Sequence, residues 1–207
     1  MRIDFSLYLI TDRHQCAAGF TLHSAVEAAL RGGVRAVQLR EKDLTPKELL
    51  LLARQLRTLT ARYWAKLLVN DRVDIALAAD ADGVHLTEQS MDVTTARGLL
   101  GTTKLIGVST HSLPRALRAA QDGADFITFS PVFHTPSKAA YGQPQGIERL
   151  REVCTAVTIP VFALGGISAR KQTEVQQAGA AGIALISAIF AAADPAAATK
   201  GFDLFLP

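Results

Sequence analysis

Eight short apolar runs, each closed by a small polar or charged cluster and followed by a helical pattern, constrain this chain more than any other feature. The runs, rich in Val, Ile and Leu, fall at 7–10, 36–39, 66–69, 83–86, 105–108, 126–129, 160–164 and 182–186. They are near-continuous rather than alternating, as expected of strands covered on both faces. The closing clusters read Thr11-Asp12, Gln38-Leu39-Arg40-Glu41-Lys42, Asn70-Asp71, His85, Ser109-Thr110-His111, Ser130-Pro131, Gly165-Gly166 and Ser187. An eightfold strand-then-helix alternation predicts an α/β fold, a closed parallel (β/α)8 TIM barrel, as one domain over residues 1–207. In that architecture the carboxyl ends of all strands open on one face, so clusters scattered in sequence should meet in space.

The helical segments carry their own punctuation. Thr45 followed by Pro46 and Glu48 reads as an N-cap, a first-turn proline and a helix start. Ser112-Leu113-Pro114 repeats this grammar for the fifth helix, and Ser168 is expected to open the seventh. Gly32-Gly33, Gly101, Gly123 and Gly179 stand where a helix must stop before the next strand. At 207 residues the chain is short for a barrel that typically takes about 250, so connections must be brief. The longest irregular stretch, 135–146, follows the sixth strand and should overhang the face where the strands end, as mobile lids often do. The tail, 201–207, carries Phe202, Leu204, Phe205 and Leu206, which suits docking on the barrel exterior or at a subunit interface.

Composition excludes more than it selects. Hydrophobic residues make up 49% of the chain, yet no apolar run approaches the ~20 residues of a membrane span. The start lacks the basic-then-apolar order of a signal peptide. Cys16 and Cys154 are too few and too far apart for a disulfide framework or a metal knuckle, and a cytoplasmic setting is expected. The net charge of +3, with cations interspersed among acids, is not the basic stripe of a nucleic-acid binder. A small anionic substrate needs only a local positive pocket.

Several clusters can form one. Gln38, Arg40 and Lys42 alternate with Leu39, Glu41 and Asp43, and the period of two puts the first three on one side of an extended chain. Arg supplies a fork and Lys a mobile point charge for phosphate; the bland alternative pairs them with Glu41 and Asp43. Asp71 is either a helix starter or a hard oxygen ligand for Mg²⁺, which often takes few carboxylates plus substrate phosphates. Gly165-Gly166-Ile167 and Ile186-Ser187-Ala188 end strands seven and eight, the usual pair for an anion site of backbone amides. Thr135, Ser137 and Lys138 in the long loop could close over such a site. His111 and His134 are candidate acids or bases, although a hydrogen-bonded loop histidine is more common. No zinc spacing, nucleophile triad or dinucleotide fingerprint is present.

Taken in order, Tyr8-Leu9-Ile10-Thr11-Asp12, Val37-Gln38-Leu39-Arg40-Glu41-Lys42-Asp43, Leu68-Val69-Asn70-Asp71, Ala81-Asp82-Gly83-Val84-His85-Leu86, Ile106-Gly107-Val108-Ser109, Gly123-Ala124-Asp125-Phe126, Pro131-Val132-Phe133, Gly165-Gly166-Ile167 and Ile186-Ser187-Ala188-Ile189 resemble the thiamine phosphate synthase and TenI family. The resemblance covers essentially the whole chain. It implies a transferase of thiamine biosynthesis that joins hydroxymethylpyrimidine pyrophosphate to thiazole phosphate. Pyrophosphate leaves first, with Mg²⁺ and cations stabilising it, and the thiazole nitrogen captures the pyrimidine methyl cation.

By this resemblance Arg40, Lys42, Asn70, Ser109 and Lys138 would hold pyrophosphate, with Arg40, Lys42, Ser109 and Lys138 acting on its departure. Asp71 would hold Mg²⁺, and Gln38 would sit against the pyrimidine. Thr135 and Ser137 would meet the thiazole phosphate or its neighbours, with Gly166, Ile186 and Ser187 on that phosphate. The partners implied are small phosphorylated substrates, neither nucleic acid nor membrane, with a homodimer compatible.

One position departs from the pattern. Synthases usually place a second metal-binding Asp five residues beyond the strand-four histidine, where this chain has Ser90, with Glu88 and Asp92 as the nearest substitutes. The loop 135–144 also resembles the sister branch of thiazole tautomerases, which shift a proton without Mg²⁺. The best-described member of that branch carries a histidine where this chain has Pro131, and lacks the Gln-x-Arg-x-Lys and Asn-Asp sets kept here. For tautomerisation His134 would be the nearest proton carrier. A non-catalytic binder of thiazole or thiamine phosphate is the third reading.

Overall fold

The computed structural model describes residues 3–135 and 143–205. The strands β1 (Leu7–Ile10), β2 (Ala36–Leu39), β3 (Lys66–Asn70), β4 (Gly83–Leu86), β5 (Leu105–Thr110), β6 (Phe126–Phe129), β7 (Val161–Leu164) and β8 (Gly182–Leu185) pair in chain order. Every pair is parallel, and β8 returns to β1 to close the barrel. The expected runs meet these strands within two residues. β7 begins after Pro160, which has no N–H to give the ladder and contributes only its carbonyl, to Ile127 N at 3.0 Å.

Each strand has two buried faces, hence the unbroken apolar runs. One set (Leu7, Leu9, Val37, Leu39, Leu67, Val69, Val84, Ile106, Ile127, Ala163 and Ile183 among them) packs outward against the helices. The other set (Tyr8, Ile10, Ala36, Leu68, Leu105, Phe126, Phe162 and Ala184, with Phe5 beneath) fills the barrel interior. Inside, Phe5, Tyr8, Phe126 and Phe162 lie with ring centroids 5.3–6.2 Å apart. That ring cluster needs small neighbours: a Cβ on Gly182 would stand 2.4 Å from the Phe162 ring. The lower barrel is therefore a dry aromatic plug, and only the upper end of the strands can host polar groups.

The helices are α1 (Leu22–Gly32), α2 (Pro46–Arg62), α3 (Val73–Ala78), α4 (Val93–Leu100), α5 (Leu113–Gln121), α6 (Gly146–Ala156), α7 (Gln172–Gln177), α8 (Ser187–Phe190) and α9 (Pro195–Lys200). Thr45 caps α2 as expected, within a reciprocal box in which the Glu48 carboxylate accepts from Thr45 N at 2.9 Å. Ser112 precedes α5 without a side-chain cap bond, since Pro114 removes one amide it would have accepted from. Ser168 opens a 3-10 turn, Ala169–Lys171, and α7 begins only at Gln172. Gly33, Gly101, Gly123 and Gly179 all stand at positive φ where helices stop.

The amino-terminal rim holds register rather than chemistry. Asp82 accepts from Leu67 N at 2.8 Å and Asp125 from Ile106 N at 2.7 Å. Each carboxylate thus ties the strand after it to the strand before, and Arg57 and Arg97 neutralise them at 3.6 and 2.6 Å. The tail docks on this exterior: Phe202 and Phe205 are buried, Ser6 Oγ donates to Phe205 O, and Gln172 Nε2 donates to Asp203 Oδ1 at 2.8 Å. Among the described residues no helix is long and apolar enough to cross a membrane.

Candidate active site at the carboxyl ends of the strands

Above the aromatic plug the inward positions turn polar. Gln38 on β2, His85 on β4, Ser109 on β5 and Thr128 on β6 follow the same alternation that points Ala36, Gly83, Gly107 and Phe126 inward below them. They join through hydrogen bonds: Gln38 Nε2 to Tyr8 Oη at 3.1 Å, Tyr8 Oη to His85 Nδ1 at 3.4 Å, and His85 Nε2 to Ser109 Oγ at 3.0 Å, with Thr128 Oγ1 at 3.4 Å. Burial, helped by the positive charge of Arg40, pushes the His85 imidazole down to about 3, so the ring is neutral. Burial likewise drives the Tyr8 phenol well above its ordinary value, so it stays protonated.

The charge cluster after β2 is sorted by the first loop. Arg13, in the 3-10 turn Arg13–Gln15, reaches the buried Glu41 at 3.1 Å and forks onto both oxygens of Asp43 at 2.5 Å. The Arg13 amide also donates to Glu41, at 3.2 Å, and His14 Nε2 lies 3.1 Å from Asp43. Arg13 and His14 hold the Asp43 carboxyl well below the usual carboxylate range. Both acids are therefore taken from outside the barrel. Among the described residues Arg40 and Lys42 form no ion pair, so the pairing of Arg40 and Lys42 with Glu41 and Asp43 does not occur. Arg40 is half-buried, and its amide donates to Thr11 Oγ1 at 2.8 Å. Lys42 differs from the extended expectation: the strand ends at Leu39, and Lys42 lies exposed in a turn leading to the cap of α2.

Asn70 ends β3 opposite His85, and Asp71 follows it with φ of +64°, its amide on His85 O at 2.9 Å. The cap position of α3 belongs to Arg72, without a side-chain cap bond, so Asp71 is not a helix starter. Its carboxylate is exposed and makes no hydrogen bond or ion pair among the described residues, Arg72 being engaged by Asp74 at 2.6 Å. A free carboxylate beside Asn70, on the strand next to the one that Arg40 follows, fits a hard cation shared with phosphate oxygens. Both nearest substitutes for the second carboxylate have protein partners. Asp92 caps α4, accepting from Thr95 N at 2.7 Å, and these bonds hold it down at about 2. Glu88 leans toward Arg115 at 3.7 Å, and Ser90 Oγ accepts from Thr87 N at 2.7 Å. Among the described residues no three acids, histidines or cysteines cluster as a metal cage.

Strands β7 and β8 end in the expected pair of turns. Gly165 and Gly166 have φ of +102° and +63°, and a Cβ on Gly166 would stand 2.4 Å from His134 O. The glycines thus let the chain after β6 cross closely, with Val132 and Phe133 donating to Leu164 O and Gly165 O at 2.9 and 3.0 Å. Lys171 Nζ secures the turn, at 3.2 Å from Gly166 O and 4.0 Å over the Phe133 ring. Ile186 leaves β8, and the amides of Gly166, Ser187 and Ala188 find no acceptor among the described residues. Thr135 is half-buried at the edge of this region. Ser137 and Lys138 lie outside the described residues. His134 is exposed, and His111 Nδ1 lies 2.7 Å from Ser130 O.

The structure therefore gathers Gln38, Arg40, Asn70, Asp71, Ser109, Thr135, Gly166, Ile186 and Ser187 at one end of the barrel. Sequence reasoning did not single out Tyr8, Arg13 or His85 as site residues. The inward alternation Tyr8–Ile10 and the place of His85 at a strand end were available signals for two of them. Arg13 gave none.

Three comparisons with known proteins bear on this site. The profile of a family described as thiamine monophosphate synthase matches residues 7–189. A curated thiamine-phosphate synthase of Chloroflexus aurantiacus is 44% identical over 198 residues, covering 96% of this chain and 91% of that protein. A Geobacter sulfurreducens protein provisionally given the same name is 59% identical over 206 residues, covering 100% of this chain and 96% of its own length. Among solved structures, thiamine phosphate pyrophosphorylase from Pyrococcus furiosus superposes with a TM-score of 0.88 at 38% identity, covering 97% of this chain and 95% of that one.

Proposed function

The chain belongs to the thiamine monophosphate synthase family, and we propose that it joins hydroxymethylpyrimidine pyrophosphate to thiazole phosphate at the barrel mouth described above. The observation that carries this reading is the uncompensated cation: Arg13 draws off Glu41 and Asp43, leaving Arg40 just beyond β2, and Lys42 in the turn after it, without an ion pair among the described residues. A site for proton transfer alone has no use for that charge.

In this reading the bond from the pyrimidine methyl carbon to the bridging oxygen breaks, and its electron pair leaves with pyrophosphate. The thiazole nitrogen then donates its lone pair to that carbon, closing the new bond. Arg40, Lys42, Asn70 and Ser109 receive the leaving group, joined by Lys138 of the loop, and preorganised donors of this kind favour the charge-separated state over the bound substrate. Mg²⁺, held by Asp71 and pyrophosphate oxygens, would supply further charge neutralisation. Gln38 and the ring-lined floor seat the pyrimidine in a dry pocket. The amides of Gly166 and Ser187, with Ile186 and Thr135, take the thiazole phosphate and aim its nitrogen, and Ser137 is assigned to the same phosphate by the family resemblance alone. The tautomerase reading finds less: His134 is exposed, and His111 is engaged with Ser130 O. We read the setting as cytoplasmic, consistent with the free thiols Cys16 and Cys154.

The test follows pyrophosphate release while Mg²⁺ is titrated, in the wild type and in Asp71→Asn. The expected result is a divalent-cation requirement, with half-saturation raised about tenfold or more in the variant, the usual scale for loss of a ligating group or its support. Turnover in chelator, or isomerisation of thiazole phosphate without the pyrimidine substrate, would contradict the reading.

A further inference from the structure

We propose that His85 is a positioning residue of this reaction: held between Tyr8 and Ser109 inside the barrel, its ring fixes the Ser109 hydroxyl as a hydrogen-bond donor to the anion in the mouth. The inference deepens the synthase reading and rests on it.

The ring's place is set by the strand beside it. Gly107 on β5 pairs with His85 in the register, and a Cβ there would stand 2.6 Å from His85 Nδ1 and 2.4 Å from the Phe126 ring. The missing side chain makes the slot in which the imidazole lies, with Tyr8 and Phe126 at centroid distances of 5.7 and 5.8 Å. Any side chain at position 107 would displace the ring. Close packing therefore leaves the imidazole one orientation.

The direction of the protons follows from counting donors. Gln38 Nε2 donates to Tyr8 Oη at 3.1 Å, so the phenol oxygen is already an acceptor. The phenol is sealed from solvent, and a buried hydroxyl must place its proton on a protein acceptor. The acceptor in reach is His85 Nδ1, at 3.4 Å. The ring proton of a neutral imidazole must then sit on Nε2, which faces Ser109 Oγ at 3.0 Å, with Thr128 Oγ1 a second acceptor at 3.4 Å. Ser109 accepts from the ring and cannot donate back to it. Its own proton points away from the barrel floor, toward the mouth that Arg40 enters.

This matters because pyrophosphate oxygens only accept hydrogen bonds. A serine free to rotate would spend part of its time donating to an unprotonated imidazole nitrogen, facing the anion with a lone pair. With the tautomer fixed, that alternative is closed, and the donor is in place before charge develops. Gln38, Tyr8 and His85 thus reach the leaving group without touching it. The chain also links the floor beneath the pyrimidine to the group that receives pyrophosphate.

The experiment combines a spectroscopic and a kinetic readout. Nitrogen-15 NMR of the wild-type imidazole is expected to show His85 protonated at Nε2. In Tyr8→Phe, which keeps the ring packing, the tautomer should become mixed and kcat should fall about tenfold, a common scale for groups that orient others. KM for the pyrimidine pyrophosphate should move much less than kcat. Ser109→Ala should cost more, and Tyr8→Phe added to it should cost nothing further, because the phenol acts through the serine. A wild-type imidazole protonated at Nδ1, or losses that multiply in the double variant, would overturn the proposal. A wild type that makes no thiamine phosphate would overturn the role together with the synthase reading; the NMR result separates that failure from a wrong hydrogen-bond chain.

Discussion

Arg13 decides what the alternating charges after β2 amount to. Without it Arg40-Glu41-Lys42-Asp43 would be locally neutral; with Glu41 and Asp43 drawn off at 3.1 and 2.5 Å, the positive charge of Arg40 at the strand end and of Lys42 in the turn after it is left unbalanced. Arg13→Gln is therefore expected to raise KM for the pyrimidine pyrophosphate several-fold, with Asp43→Asn restoring part of the loss, as steady-state kinetics would show. An Arg13→Gln enzyme with unchanged constants would mean that the exposed pair contributes nothing, as exposed pairs often do. His85 gives a second residue-level expectation, in the stability of the metal-free protein. Its folded pKa is depressed from 6.5 to about 3, so below pH 6.5 the unfolded chain binds a proton that the folded chain refuses. Stability is complete above that value and lost as pH falls from 6.5 toward 3, by up to about 1.4 kcal/mol per unit. Denaturant titrations at pH 7 and 4.5 should show this loss in the wild type and a smaller one in His85→Gln. The residues that carry charge on a strand end were legible because alternation alone places Gln38 and Arg40 on one side. Arg13 was not, since its partners stand 28 and 30 positions away and no local pattern says which acids a loop arginine will reach.

At the scale of elements, two devices hold the strand ends where the chemistry needs them. On the amino-terminal rim, Asp125 accepts from Ile106 N and from Arg97, fixing β6 against β5. Asp125→Ala should cost about 1–3 kcal/mol in denaturant unfolding, the scale for a deprived buried amide, while activity per folded molecule stays unchanged. On the carboxyl-terminal rim, Gly166 combines φ of +63° with a 2.4 Å approach to His134 O. Gly166→Ala should push the chain after β6 away from the turn and weaken thiazole phosphate binding, read by titration of that ligand alone; wild-type affinity would contradict this. The sequence motifs Ala81-Asp82-Gly83 and Gly123-Ala124-Asp125 stood beside chemical motifs with nothing to separate them. Only the registers, Leu67 with Asp82 and Ile106 with Asp125, show that they secure pairing. Helix starts were legible where the cap chemistry was complete, as at Thr45, and less so at Ser112 and Ser168, where no side-chain cap forms.

At the scale of the molecule, closure of β8 on β1 turns eight separate strand endings into one ring around a polar mouth. The order of those endings was readable because strands buried on both faces announce themselves as unbroken apolar runs. How deep the mouth goes was not readable, because it depends on which inward positions are filled. Tyr8, Phe126 and Phe162 close the lower barrel, and the polar layer of Gln38, His85, Ser109 and Thr128 begins directly above. Asp71 carries a carboxylate without a partner among the described residues, with Ser90 turned to Thr87 and Asp92 capping its helix; if the proposed Mg²⁺ role of Asp71 holds, the expected outcome is a higher demand for Mg²⁺ than a two-carboxylate site would show. The central claim is most directly tested by mixing hydroxymethylpyrimidine pyrophosphate and thiazole phosphate with purified protein and Mg²⁺, and counting both products. One pyrophosphate for each thiamine phosphate is the predicted result. Pyrophosphate released without thiamine phosphate, or thiazole phosphate isomerised with no condensation, would contradict the account.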